Sequence, residues 1–73
     1  MKEKYPLTQT QFKYFNYIKN YIHQYKMAPS YRDIMRGLNI KTTSAVHLVM
    51  DNLEKRGWIK RLPGSWRSII IVE

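Results

Sequence analysis

Seventy-three residues make one small domain, and a chain this short buries only about 60% of the surface it exposes when unfolded. Its 44% hydrophobic and 14% aromatic content excludes low-complexity disorder, and with no Cys it has no disulfide framework, thiolate metal site or Cys nucleophile. Thirteen Lys and Arg against five Asp and Glu leave a formal net charge of +8, which favours a polyanionic partner, nucleic acid ahead of an anionic membrane surface, since no long apolar segment is present.

Residues 1–7 read as a short basic N-terminal arm, with Pro6 just before the first structural signal. Thr8-Gln9-Thr10-Gln11 is a capping-box pattern and opens a helix predicted over 8–25. Phe12, Phe15, Ile18 and Ile22 recur at helical spacing, with Tyr14, Tyr17, Tyr21 and Tyr25 beside them. So wide a stripe is read as core, packed on two neighbours. Pro29 breaks this helix, because proline biases the residue before it away from helical geometry.

A second helix is predicted over 30–37, with Ser30 as cap and Asp33 in the first turn, where the helix dipole favours a carboxylate. Ile34, Met35 and Leu38 form its apolar face, and Asn39 is the expected left-handed residue after it. A third helix is predicted over 43–56, capped by Thr42 or Thr43. Its apolar positions are Val46, Val49, Met50 and Leu53, and Gly57 is its stop. The period then changes. Trp58–Leu62 and Arg67–Val72 read as two antiparallel strands joined across Pro63-Gly64-Ser65, a hairpin over 58–72 that must lean on the helices to be stable. With no repeat and no linker, residues 1–73 form a single domain.

Helix, short helix, turn, helix and hairpin is the order of a winged helix-turn-helix, an α+β fold with three helices and a C-terminal two-stranded wing. In a helix-turn-helix the second helix of the unit enters the DNA major groove. The third helix suits that role. Val46, Met50 and Leu53 face inward, while Thr43, Ser44, His47, Leu48 and Asp51 lie on the outer side. Small side chains at Thr42, Thr43, Ser44 and Ala45 let the backbone approach DNA and leave N-terminal amides for a phosphate. Lys41 beside them suits a phosphate contact. His47 offers a ring nitrogen to a base edge, and Leu48 an apolar contact to a thymine methyl. Lys55, Arg56, Lys60, Arg61 and Arg67 cluster within thirteen residues, and a basic wing beside a basic helix end can neutralise phosphates. Trp66 is read as cover for the small core.

The stretch from Leu7-Thr8 through Ile71 resembles the DNA-binding domain of LexA repressors. The resemblance rests on Leu-Thr opening a helix with Phe15, Ile18 and Ile22. It continues through Met27-Ala28-Pro29-Ser30 and Ile34 and Leu38, then Lys41-Thr42-Thr43-Ser44-Ala45, Leu53 and Lys55-Arg56-Gly57. A Gly-Ser wing before an Ile-rich strand completes it. It implies that the third helix lies in the major groove, with Thr42, Ser44, Ala45, His47 and Leu48 approaching bases or adjacent phosphates. LexA proteins often carry acidic residues where this chain has His47 and Leu48, and asparagine where it has Ser44. The resemblance therefore implies the same docking on a different operator. In that family a self-cleaving peptidase domain, which also drives dimerisation, follows the DNA-binding domain; these 73 residues show no counterpart to it.

The expected function is that of a sequence-specific, double-stranded DNA-binding transcriptional regulator, a repressor occupying a pseudo-palindromic operator as a homodimer formed on DNA. A winged-helix protein-interaction module, a small phage or plasmid regulator, is the alternative. A non-enzymatic role is expected, because the five acids are scattered and His23 and His47 sit on different helices. No cofactor, metal or membrane partner is expected. With no apolar leader visible, the expected location is the cytoplasm, at the nucleoid.

Overall fold

Each helix begins where a side-chain hydroxyl takes one of its free amides. The structure, a computed structural model, describes residues 6–61 and 69–72. Helix α1 spans Gln9–Tyr25. The Thr8 hydroxyl accepts the Gln11 amide at 3.1 Å, and the Gln11 side chain accepts the Thr8 amide at 3.1 Å. Helix α2 spans Tyr31–Leu38 and opens with the same reciprocal pair, Ser30 with Asp33, at 3.1 and 3.0 Å. Helix α3 spans Thr43–Lys55, with the Thr42 hydroxyl on the Ala45 amide at 3.3 Å. The expected capping box at Thr8 and the expected Ser30 cap are present, Asp33 adds a reciprocal bond that makes the second a capping box too, and Thr42 rather than Thr43 caps α3.

The helices also stop by local means. Asn39 takes the left-handed conformation at φ 56°, as expected, and its neighbour Ile40 donates to the Met35 carbonyl at 2.8 Å. Lys26 ends α1 in the same conformation, at φ 61°. After α3, Gly57 sits at φ 86°, and the Trp58 amide reaches back to the Leu53 carbonyl at 3.0 Å. A side chain at this position is strained, so Gly57→Ala should cost about 1–2 kcal/mol. A lower urea midpoint is the expected reading, and an unchanged one would contradict the left-handed requirement.

Strands β1, Ile59–Arg61, and β2, Ile69–Ile71, pair antiparallel with Ile59 opposite Ile71 and Arg61 opposite Ile69. The Val72 amide extends the ladder to the Trp58 carbonyl at 3.0 Å. The expected Pro63-Gly64-Ser65 turn lies outside the described residues, as do Leu62, Trp66 and Arg67. The order α1-α2-α3-β1-β2 is that of a winged helix-turn-helix, the expected α+β fold.

The core draws on every element. Ile18, Ile34, Val46, Met50, Leu53 and Ile59 are fully buried, and Tyr14, Phe15, Ala28 and Ile69 complete the cluster. Phe15 meets the edge of Trp58 with ring centroids 5.2 Å apart, which fastens the root of the wing to α1. Two positions of the expected core stripe are corrected. Tyr25, at the last turn of α1, is 53% exposed, and Phe12, assigned to its inward stripe, is 58% exposed, with Gln11 buried instead. At about 100° per residue, Gln11, Tyr14, Phe15 and Ile18 share one arc of the helix and Phe12 lies outside it. Gln11 is tolerated inside because its amide oxygen is occupied by the capping box.

Candidate nucleic-acid interface

Helix α3 is held by one face and bare on the other. Val46, Met50 and Leu53 are buried, whereas Ser44, His47, Leu48, Asp51 and Lys55 are exposed. These five are three, four, seven and eleven residues on from Ser44 or Ser44 itself, so they share one side of the helix. Leu48 is 63% exposed, so its side chain is free to make an apolar contact outside the domain. At the start of α3, Lys41, Thr42, Thr43 and Ser44 are exposed and Ala45 is half-buried. Lys60 on β1 is exposed, and Arg67 lies outside the described residues.

His47 does not stand alone. Its ring meets that of Tyr31, the first residue of α2, with centroids 4.6 Å apart in an edge-to-face arrangement. Tyr31 in turn leads to the wing. Its hydroxyl accepts a hydrogen bond from Arg61 Nη1 at 2.7 Å. Arg61 Nε donates to Glu54 Oε1 at 3.1 Å, and its Nη2 donates to Glu54 Oε1 at 2.7 Å and to Asp51 Oδ1 at 2.5 Å. Its backbone amide adds a bond to Glu54 Oε2 at 3.3 Å. Arg61 was expected on a phosphate; here the protein itself occupies donors on all three of its guanidinium nitrogens. Asp51, expected on the DNA-facing side, is on that side and is paired with Arg61.

The electrostatics follow from this geometry. The hydrogen bond from Arg61 holds the Asp51 and Glu54 carboxyls below their ordinary pKa values. Partial burial works against the charge on Arg61, but the bonds to Glu54, Tyr31 and Asp51 outweigh it, and the guanidinium keeps its proton more firmly than usual. A depressed carboxylate pKa contributes stability that is fully present above the unfolded value of about 4 and is lost as pH falls through the folded value. Between pH 6 and pH 3 the unaltered domain should therefore lose stability that Arg61→Gln never had. Urea midpoints across that range test this, and parallel curves for the two proteins would contradict it. The effect is small, because Asp51 is exposed and Glu54 only half-buried, so solvent screens both.

Sequence reasoning missed Tyr31 and Glu54. For Glu54 a signal existed: acids at 51 and 54 share a helix face, and an arginine follows at 61 on a strand that must turn back over that helix. For Tyr31 there was none, since its partners lie sixteen and thirty residues away. Among the described residues there is no cluster of His, Asp or Glu fit to hold a metal ion, and no helix long and apolar enough to cross a membrane.

The family model of the LexA DNA binding domain matches residues 4–68. The LexA repressor of Clostridium kluyveri is 40% identical over 63 residues, which cover 86% of this chain and 31% of that protein. The LexA repressor of Thermosipho melanesiensis is 42% identical over 67 residues, 92% of this chain and 33% of that protein. That of Staphylococcus aureus is 36% identical over 66 residues, 90% of this chain and 32% of that protein. The chain thus spans about a third of the length of these relatives, and with a capped helix-turn-helix followed by a paired wing, it belongs to the LexA DNA-binding domain family.

Proposed function

We propose that this domain binds double-stranded DNA at specific sites by laying α3 in the major groove, and that it represses transcription by occupying an operator. The observation that carries this reading is the exposed face of α3, where Ser44, His47 and Leu48 stand clear of the core on a helix anchored by Val46, Met50 and Leu53. Family membership supports the DNA-binding and repressor reading, since the matching model is a DNA binding domain and the relatives bear the name LexA repressor. In this reading Ser44 and His47 contact base edges and Leu48 touches a thymine methyl. Lys41, the small residues Thr42, Thr43 and Ala45, and the cations Lys55, Lys60 and Arg67 meet phosphates. The net charge of +8 supplies the long-range attraction. One reading head covers few base pairs, so two domains on a pseudo-palindrome, in the cytoplasm, form the working complex.

Selection from randomised duplexes tests this. The expected result is an enriched site with two-fold symmetry. The double variant Ser44→Ala/His47→Ala should enrich a different core sequence, and an identical one would exclude these residues from base readout. The logarithm of affinity should fall linearly with that of salt concentration, by about 0.9 per phosphate contacted. Binding insensitive to salt would rule out the proposed mode.

A further inference from the structure

Arg61 lies where a phosphate contact is expected, yet two other elements of the protein hold it. Its guanidinium joins β1 to Asp51 and Glu54 of α3 and to Tyr31 of α2. With four of these bonds made, a single Nη1 hydrogen of its five remains for another acceptor. Asp51 and Glu54 are four and seven residues beyond His47, on the side of α3 that carries the proposed reading residues. Left uncovered, two carboxylates there would face the phosphate backbone.

We infer that Arg61 is a positioning residue: it braces the first wing strand against the recognition helix and Tyr31, and it covers the Asp51 and Glu54 carboxylates on the DNA-facing side. This rests on the DNA-binding reading above. The brace has a direction. A planar fork satisfies a carboxylate and a phenol oxygen at fixed angles, which an ammonium does not. The same Tyr31 that accepts from Arg61 packs its ring against His47, so the wing, the start of α2 and a proposed base-contacting side chain are set by one connected group. The lowered carboxylate pKa values agree with the cover.

The test compares three proteins: the unaltered domain, Arg61→Gln, and the uncharged triple variant Asp51→Asn/Glu54→Gln/Arg61→Gln. The probe is the duplex recovered by selection. Arg61→Gln should weaken binding about tenfold or more at 0.1 M salt, and the triple variant should recover most of that loss. The salt slope decides the mechanism. A positioning residue leaves the triple variant with the slope of the unaltered domain, because no phosphate contact is gone. A slope shallower by about 0.9 in both variants, with no recovery in the triple, would make Arg61 a phosphate ligand and overturn the inference. Thermal melting without DNA judges the brace separately: Arg61→Gln should melt lower at pH 7 and the triple variant should regain part of the difference. Equal melting of Arg61→Gln and the unaltered domain would remove the brace. Failure of the unaltered domain to bind any duplex would overturn the functional reading and the DNA-facing half of this inference, while the melting comparison would still decide the brace.

Discussion

Leu53→Ala should remove about 2–5 kcal/mol of folding free energy, the cost of lost burial plus the cavity left behind. Leu53 is fully buried at the meeting of α3 with the rest of the core, in one cluster with Ile18 of α1, Ile34 of α2 and Ile59 of β1. Neighbours drawn from three other elements cannot all move inward to fill the gap. A domain of this size stands near the lower end of the 5–15 kcal/mol typical of folded proteins, at about 0.05–0.15 kcal/mol per residue. The variant should therefore be partly unfolded at physiological temperature and should lose DNA binding with its fold. Urea denaturation followed by circular dichroism measures this. A loss below about 1 kcal/mol would mean that the core closes over the cavity.

Gly37→Ala should destabilise, against the usual sign. In an exposed helical turn this exchange ordinarily gains about 0.4–1 kcal/mol, because alanine leaves the unfolded chain fewer conformations to lose. Here the added methyl would fall on the ring end of Tyr17, which crosses from α1 over the last turn of α2. That ring cannot step aside freely, because its hydroxyl donates to the Asp33 carbonyl at 3.2 Å. The crowding should cost about 1–3 kcal/mol, the range for overfilled packing. In a Tyr17→Ala background the same Gly37→Ala change should turn stabilising. A destabilisation of equal size in both backgrounds would show that Tyr17 is not the obstacle.

What was legible in the sequence was local. The capping pair Thr8 with Gln11, the Ser30 cap, the left-handed Asn39 and the stop at Gly57 each depend on residues within five positions of one another, and each formed as expected. The apolar face of α3 was equally readable, since Val46, Met50 and Leu53 sit at helical spacing. The exposure of Phe12 was not, because a buried Gln11 breaks the rule that amides stay outside, and its licence is a single bond to Thr8. The setting of the candidate site was hidden for a different reason. Thr43, Ser44, His47 and Leu48 were visible as outward residues, but the partners of Arg61 lie on α2 and α3 and that of His47 on α2, each on a different element from the residue it serves. Pattern within one element does not say which elements meet, and a basic residue beside a groove looks alike whether it reaches DNA or is held by the protein.

The two capping boxes have a consequence for the order in which the chain folds. Contacts between neighbours along the chain close in microseconds or less, whereas pairings across long separations wait on loop closure. Helices α1 and α2 each have a start and a stop set by residues close at hand, so their ends are specified locally, but α2, at eight residues, holds only once it packs. The pairing of β1 with β2 has to await the last strand. A chain emerging from the ribosome thus has the ends of its first two helices specified before the second wing strand exists, and amide exchange should find the three-residue strands opening more readily than the buried turns of α1 and α3.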